Sequence, residues 1–233
     1  MINAEVTLDR LAKRFGDRVI FRDLTASFRT GEIVGIAGPN GGGKSTLAKI
    51  IAGVLSPTRG AVVRNVGQDV VKDYGLPRFV GFAAPYLALY DEFTAVENLD
   101  FAMKARGLDP LPKRRDELLK RFDIYVRRND AYGGYSSGMQ QRVKLAFAAL
   151  HRPSLAIFDE PTSNLDDAGK RAAYEFIREE RDGRITVLAA NDEDDLALCD
   201  RAIDVRDFQP TPKGTTPKGT TPKGTTPKGT TPK

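Results

Sequence analysis

Residues 38–46 read Gly38-Pro39-Asn40-Gly41-Gly42-Gly43-Lys44-Ser45-Thr46, and no other stretch restricts the fold of this chain so strongly. The string matches G-x-x-x-x-G-K-[ST]. A compact apolar run (residues 32–37) precedes it, and residues 47–54 follow with helical spacing. Glycines let a backbone wrap closely and aim its N–H groups at an anion, and the helix adds the positive end of its dipole. A strand, loop and helix in this order hold a phosphate chain. Lys44 is placed to reach β- and γ-phosphates and Ser45 to ligate Mg²⁺, in a nucleotide site running from Gly38 to Thr46.

Leu155-Ala156-Ile157-Phe158-Asp159-Glu160 supplies the acids that such a loop needs. In phosphate-loop enzymes a buried strand ending in a carboxylate holds the Mg²⁺ shell, so Asp159 takes that role. Glu160 fits the general base that polarises an attacking water. Between loop and strand lies Tyr135-Ser136-Ser137-Gly138-Met139-Gln140-Gln141-Arg142-Val143. It reads as a helix start that offers N–H groups and a hydroxyl to an anion.

With these three motifs in this order, residues 4–208 resemble the ATP-binding cassette (ABC) ATPases. That family carries a Leu-Ser-Gly-Gly-Gln signature ahead of its acidic strand. Here Ser136 and Gly138 occupy the serine and second glycine, while Ser137 and Met139 replace the first glycine and the glutamine. The resemblance implies that this segment closes over the γ-phosphate of an ATP held by another subunit. Ser163-Asn164-Leu165-Asp166 resembles the family's D-loop, which gives Asp166 a dimer contact. Phe15 aligns with the aromatic residue that stacks on adenine. The implied fold is an α/β P-loop NTPase with a mostly parallel sheet, N-terminal antiparallel β strands and an inserted helical subdomain at about 86–145.

Two family residues are missing. Counting from Gly81-Phe82 puts Pro85 where the Q-loop glutamine stands, and Asn191 takes the place of the switch histidine. Proline offers no polar side chain. Asparagine can donate a hydrogen bond to a γ-phosphate oxygen but carries no charge and shuttles no proton. His151, just after the signature helix, is expected on the surface. With Lys44, Ser45, Asp159 and Glu160 retained, hydrolysis should persist at a reduced rate, with Asn191 as a third catalytic candidate.

The rest of the chain agrees with an alternating α/β order. Strands are expected at 61–66, 154–158 and 185–189, and helices at 114–126, 139–150 and 167–181. Thr94-Ala95-Val96-Glu97 reads as a capping box opening a helix that Gly107 stops. From Thr211 onward the chain repeats Thr-Pro-Lys-Gly-Thr, and the segment 209–233 is expected to be disordered. Its five lysines account for the net charge of +5, leaving a neutral remainder that argues against a nucleic-acid partner. One cysteine, Cys199, and one histidine exclude an internal disulfide and a Cys/His metal cluster. No run reaches the ~18 apolar residues of a membrane span, and the first ten residues lack the layout of a secretory signal.

The resemblance therefore implies an ATP- and Mg²⁺-dependent subunit that powers a membrane transporter. Its partners would be a separate integral membrane chain and a second cassette, in a homodimer or an ABC heterodimer. It would lie in the cytoplasm, peripheral on the inner face of the membrane. The signature and the segment 84–92 resemble export-type ATPases, those of cytochrome c maturation (haem export) coming nearest. Two alternatives stand beside it: a soluble ABC ATPase acting on a protein assembly or nucleic acid, and a weakly hydrolysing regulatory subunit.

Overall fold

A long hairpin, invisible as a simple alternating pattern, begins the structure. Strands β1 (Ala4–Phe15) and β2 (Arg18–Arg29) pair antiparallel around a turn at Gly16-Asp17. Register shifts between Leu8 and Arg14, and positive φ at Arg10 and Asp23, break their period of two. The computed structural model describes residues 3–210. The hairpin continues into β4 (Arg59–Val66) and the short β5 (Asp69–Val70), giving an antiparallel sheet of order β2-β1-β4-β5.

The second sheet is parallel, with order β6-β7-β8-β3-β9. Its strands are β3 (Ile33–Ala37), β6 (Val80–Ala83), β7 (Leu155–Asp159), β8 (Ile185–Ala189) and β9 (Arg201–Asp204). Every residue of β7 and β8 is buried, as expected of strands covered on both faces. Alternate residues feed two cores. Val34, Ile36, Leu155, Ile157 and Val187 pack with helix α1 (Lys44–Ile51) and the antiparallel sheet. Ile33, Phe158 and Leu188 pack with the remaining helices.

In chain order the helices after α1 are α2 (Leu76–Phe79), α3 (Ala95–Ala105), α4 (Pro112–Arg121), α5 (Ser137–Ala149), α6 (Asp167–Glu179) and α7 (Glu193–Leu196), of which α2 sends Phe79 into the first core instead. The capping box of α3 forms as anticipated: Thr94 Oγ accepts from Glu97 N, and Glu97 Oε2 from Thr94 N. The helix anticipated at 114–126 instead ends at Arg121, because Asp123 adopts positive φ (56°) and only a short 3-10 turn follows. Similarly α1 stops at Ile51, before Gly53 with φ 78°. Gly81 lets α5 lie directly on β6, since a Cβ there would sit 1.9 Å from the Ala148 carbonyl oxygen. Among the described residues no helix is long and apolar enough to cross a membrane. The Thr-Pro-Lys-Gly-Thr repeat lies outside the described residues.

Candidate functional site

The parallel sheet brings the phosphate loop, the acidic pair, the switch position and the segment at Pro85 to one edge, whereas Phe15 lies on the antiparallel sheet and Ser136 and Asp166 at helix starts. The loop 38–43 leaves the carboxyl end of β3, Asp159 ends β7, Asn191 follows β8, and Pro85-Tyr86 follows β6. Ligands of open parallel sheets bind in the crevice beyond the carboxyl ends of the strands.

Two glycines make the loop possible. Gly38 has φ 141° and a Cβ on it would meet Val205 at 2.5 Å; Gly43 has φ 110° and would meet Ile20 at 2.5 Å. Gly43 is also the N-cap of α1 and supplies no side-chain acceptor, so the first N–H groups of α1 are free of any side-chain cap. That leaves them for an anion. Lys44 folds back through the loop and donates to the carbonyls of Gly38 (3.0 Å) and Pro39 (3.1 Å). Burial lowers its pKa, while Glu160 and Asp159 oppose the shift. From outside, Arg18 holds the Gly41 carbonyl (3.2 Å) and Gln209 Nε2 holds that of Gly42 (2.9 Å). Neither contact has a local sequence signal, since β2 and the end of the fold reach the loop only through tertiary packing.

Asp159 is almost wholly buried. Burial raises its pKa, against the opposing effects of Ser45, Tyr86, Lys49 and Lys44. Its Oδ1 is buried without a hydrogen-bond partner, whereas Oδ2 accepts from the Tyr86 hydroxyl at 3.0 Å. An orphaned carboxylate oxygen beside a serine hydroxyl and the phosphate loop fits Mg²⁺. This ion binds through one or two protein oxygens, with substrate phosphates and waters completing its shell.

Glu160 follows with φ 50°, a left-handed conformation that a bulky residue adopts only when its surroundings hold it. Its backbone N–H donates to Ala189 O (2.7 Å), and Gln141 of α5 reaches its carbonyl (3.3 Å). Asn191 meets Lys44 through Oδ1 and turns Nδ2 toward Asn40 and Glu160 Oε1 (3.5 Å). The loop, the acid and the switch position thus form one network.

Ser136 is the N-cap of α5, its hydroxyl accepting from Met139 N at 3.3 Å. A Cβ on Gly138 would stand 2.7 Å from the Asn164 carbonyl, so the signature turn lies against the segment 163–166. Asp166 caps α6 and pairs with Arg142 of α5 at 2.6 Å. Phe15, at the end of β1, is 49% exposed and carries the Lys13 ammonium 4.8 Å from its ring centre. His151 is half-buried rather than exposed. Its Nε2 is 3.1 Å from the Val80 carbonyl, Nδ1 is buried without a partner, and burial pushes the imidazole down to about 4. The residue after α5 is covered because α5 ends against β6.

The ABC transporter family profile matches residues 21–163. The ABC transporter ATP-binding protein NatA of Bacillus subtilis (strain 168) is 35% identical over 208 residues, covering 85% of this chain and 84% of NatA. The sulfate/thiosulfate import ATP-binding protein CysA 2 of Rhizobium meliloti (strain 1021) is 30% identical over 85% of this chain and 56% of its own length. A dimeric ATP-binding cassette in a post-hydrolysis state, bound to ADP and Pi, superposes with TM-score 0.74 at 26% identity, covering 88% of this chain and 94% of that one. Phosphate loop, acidic strand and signature turn, in this order on this fold, place the chain in the ABC transporter family, as an ATP-binding and ATP-hydrolysing domain.

Proposed function

We propose that this domain powers a membrane transporter whose spanning subunit is a separate chain, and that two cassettes close on ATP to do so. In the site, loop N–H groups and Lys44 hold the phosphates, and Glu160 orients the attacking water. Asn191 hydrogen-bonds at the γ-phosphate. Asp159 and Ser45 would hold Mg²⁺, which when bound offsets phosphate charge. Ser136 and Gly138 would meet the ATP of the opposing cassette, with Asp166 at the contact and Phe15 on adenine.

The observation that carries the transporter reading is an exposed aromatic cluster close to this site in sequence. Tyr90, Phe93 and Phe101 are 52%, 36% and 44% exposed and stack on one another with centroids 5.0–6.2 Å apart. A separate cleft of about 740 Å³ is lined by Ile50, Leu55, Arg64, Leu76, Phe82 and Leu87 among others. Exposed aromatic patches of this kind serve association. Docking there would hold the domain at the cytoplasmic face of a membrane.

Mild-detergent purification of the tagged chain tests this. A stoichiometric integral membrane protein, lost in a Tyr90→Ser/Phe101→Ser variant, is the expected result. Soluble partners or nucleic acid alone would overturn it and favour the soluble ABC ATPase. Export is the direction favoured by the signature string and the segment 84–92, on which the haem-export reading also rests. A relative named for import shares the cassette, so vesicle transport decides direction. The regulatory alternative is separated by protein concentration: turnover that stays slow on self-association marks an asymmetric subunit.

A further inference from the structure

Pro85 removes the polar side chain from the loop after β6, yet the next residue restores one. Tyr86 points its hydroxyl into the site and donates to Asp159 Oδ2 at 3.0 Å. Its ring is held from α1, with the Lys49 ammonium 3.9 Å from the centroid, and lies 6.3 Å from Phe82. The preceding residue is anchored too: Lys144 of α5 donates to the Pro85 carbonyl at 2.6 Å. Residues 85–86 thus join three elements: the helix after the phosphate loop, the acidic strand and the signature helix.

The division of labour on Asp159 is specific. Tyr86 occupies Oδ2, while Oδ1 has no partner. A carboxylate with one oxygen fastened presents the other in a fixed direction. From Tyr86 the chain runs in four residues to Tyr90, the first ring of the exposed aromatic cluster. Tyr90 is itself fastened to α3, its N–H donating to Asn98 Oδ1 at 2.9 Å and its carbonyl accepting from Asn98 Nδ2 at 3.0 Å.

We propose that Tyr86 is a positioning residue that aims Asp159 Oδ1 at the metal and ties residues 84–92 to occupancy of the nucleotide site. It rests on the reading of Asp159 as the metal-holding acid. Tyr86 touches no reacting atom and acts through Asp159. Phenylalanine keeps the ring and its contact with Lys49 and removes only the hydroxyl.

The test is Mn²⁺ binding, followed by electron paramagnetic resonance, to the purified chain with a non-hydrolysable ATP analogue. Wild type, Tyr86→Phe and Asp159→Asn are compared, and hydrogen exchange is measured over residues 84–92. Tyr86→Phe is expected to weaken Mn²⁺ binding about three- to tenfold, the worth of one lost hydrogen bond. It should leave metal-free analogue binding unchanged, which also shows that the variant is folded. Protection of 84–92 on adding Mn²⁺ and analogue should appear in wild type and be lost in Tyr86→Phe. Equal or tighter Mn²⁺ binding in Tyr86→Phe, with Asp159→Asn impaired, overturns the role of Tyr86 alone. No difference between Asp159→Asn and wild type overturns the metal reading of Asp159 and the proposal with it.

Discussion

Lys44 donates to Asn191 Oδ1 at 2.5 Å, so the lysine of the phosphate loop and the residue at the switch position are direct partners. Among the described residues the ammonium has no carboxylate at hydrogen-bond distance; its partners there are this amide and two loop carbonyls. Neutral acceptors hold it in place without neutralising it. That keeps its charge available to an incoming phosphate.

Removing the amide should therefore affect chemistry more than capture. Asn191→Ala is expected to lower kcat roughly tenfold, about the value of one hydrogen bond made in the transition state. ATP binding in the absence of metal should barely change. Steady-state turnover together with fluorescent-nucleotide titration reads the two separately.

Lys44 and Glu160 separate in the same pair of assays. Lys44→Ala should weaken nucleotide binding and abolish measurable turnover. Glu160→Gln should keep binding and lose turnover by roughly a hundredfold or more. Wild-type turnover no faster than that of either variant would refute the assignment of both roles.

Gly81 carries the contact between β6 and α5, and its backbone has no room for a methyl group. Gly81→Ala should cost about 2–4 kcal/mol of stability through overpacking. Denaturant unfolding should show a lower midpoint at unchanged slope.

His151 makes stability depend on pH in one direction. Its folded pKa of about 4 lies below the unfolded value near 6.5, so the unfolded chain binds the extra proton between them. The contribution is complete above about pH 6.5 and is lost as pH falls toward 4. Between about pH 7 and pH 5 the loss amounts to about 1–2 kcal/mol. His151→Gln keeps a donor for Val80 O and should flatten this part of the melting-temperature profile relative to wild type.

The phosphate loop, the acidic strand and the signature turn were legible because each is a local string whose residue types serve one chemistry. Helix α3 was legible for the same reason, its cap being written within four residues. The hairpin β1–β2 was legible only through the family resemblance, which implies N-terminal antiparallel strands, because bulges near Leu8–Arg14 and positive φ at Arg10 destroy the alternation. Tyr86 was missed for a different reason. A position-by-position comparison asks what stands at residue 85 and finds proline, whereas the fold asks which side chain nearby reaches Asp159. The signal was present as a tyrosine one residue on. Arg18 and Gln209 had no such signal, since their places at the loop depend on how β2 and the last described turn pack.

The bond from Gln209 to the Gly42 carbonyl has a practical side. The last described residues lie beside the phosphate loop. A dye attached at residue 209 would sit within sight of an arriving nucleotide, and a bulky fusion placed there would crowd the same entrance. Reporter groups therefore belong at residue 209, and bulky fusions do not.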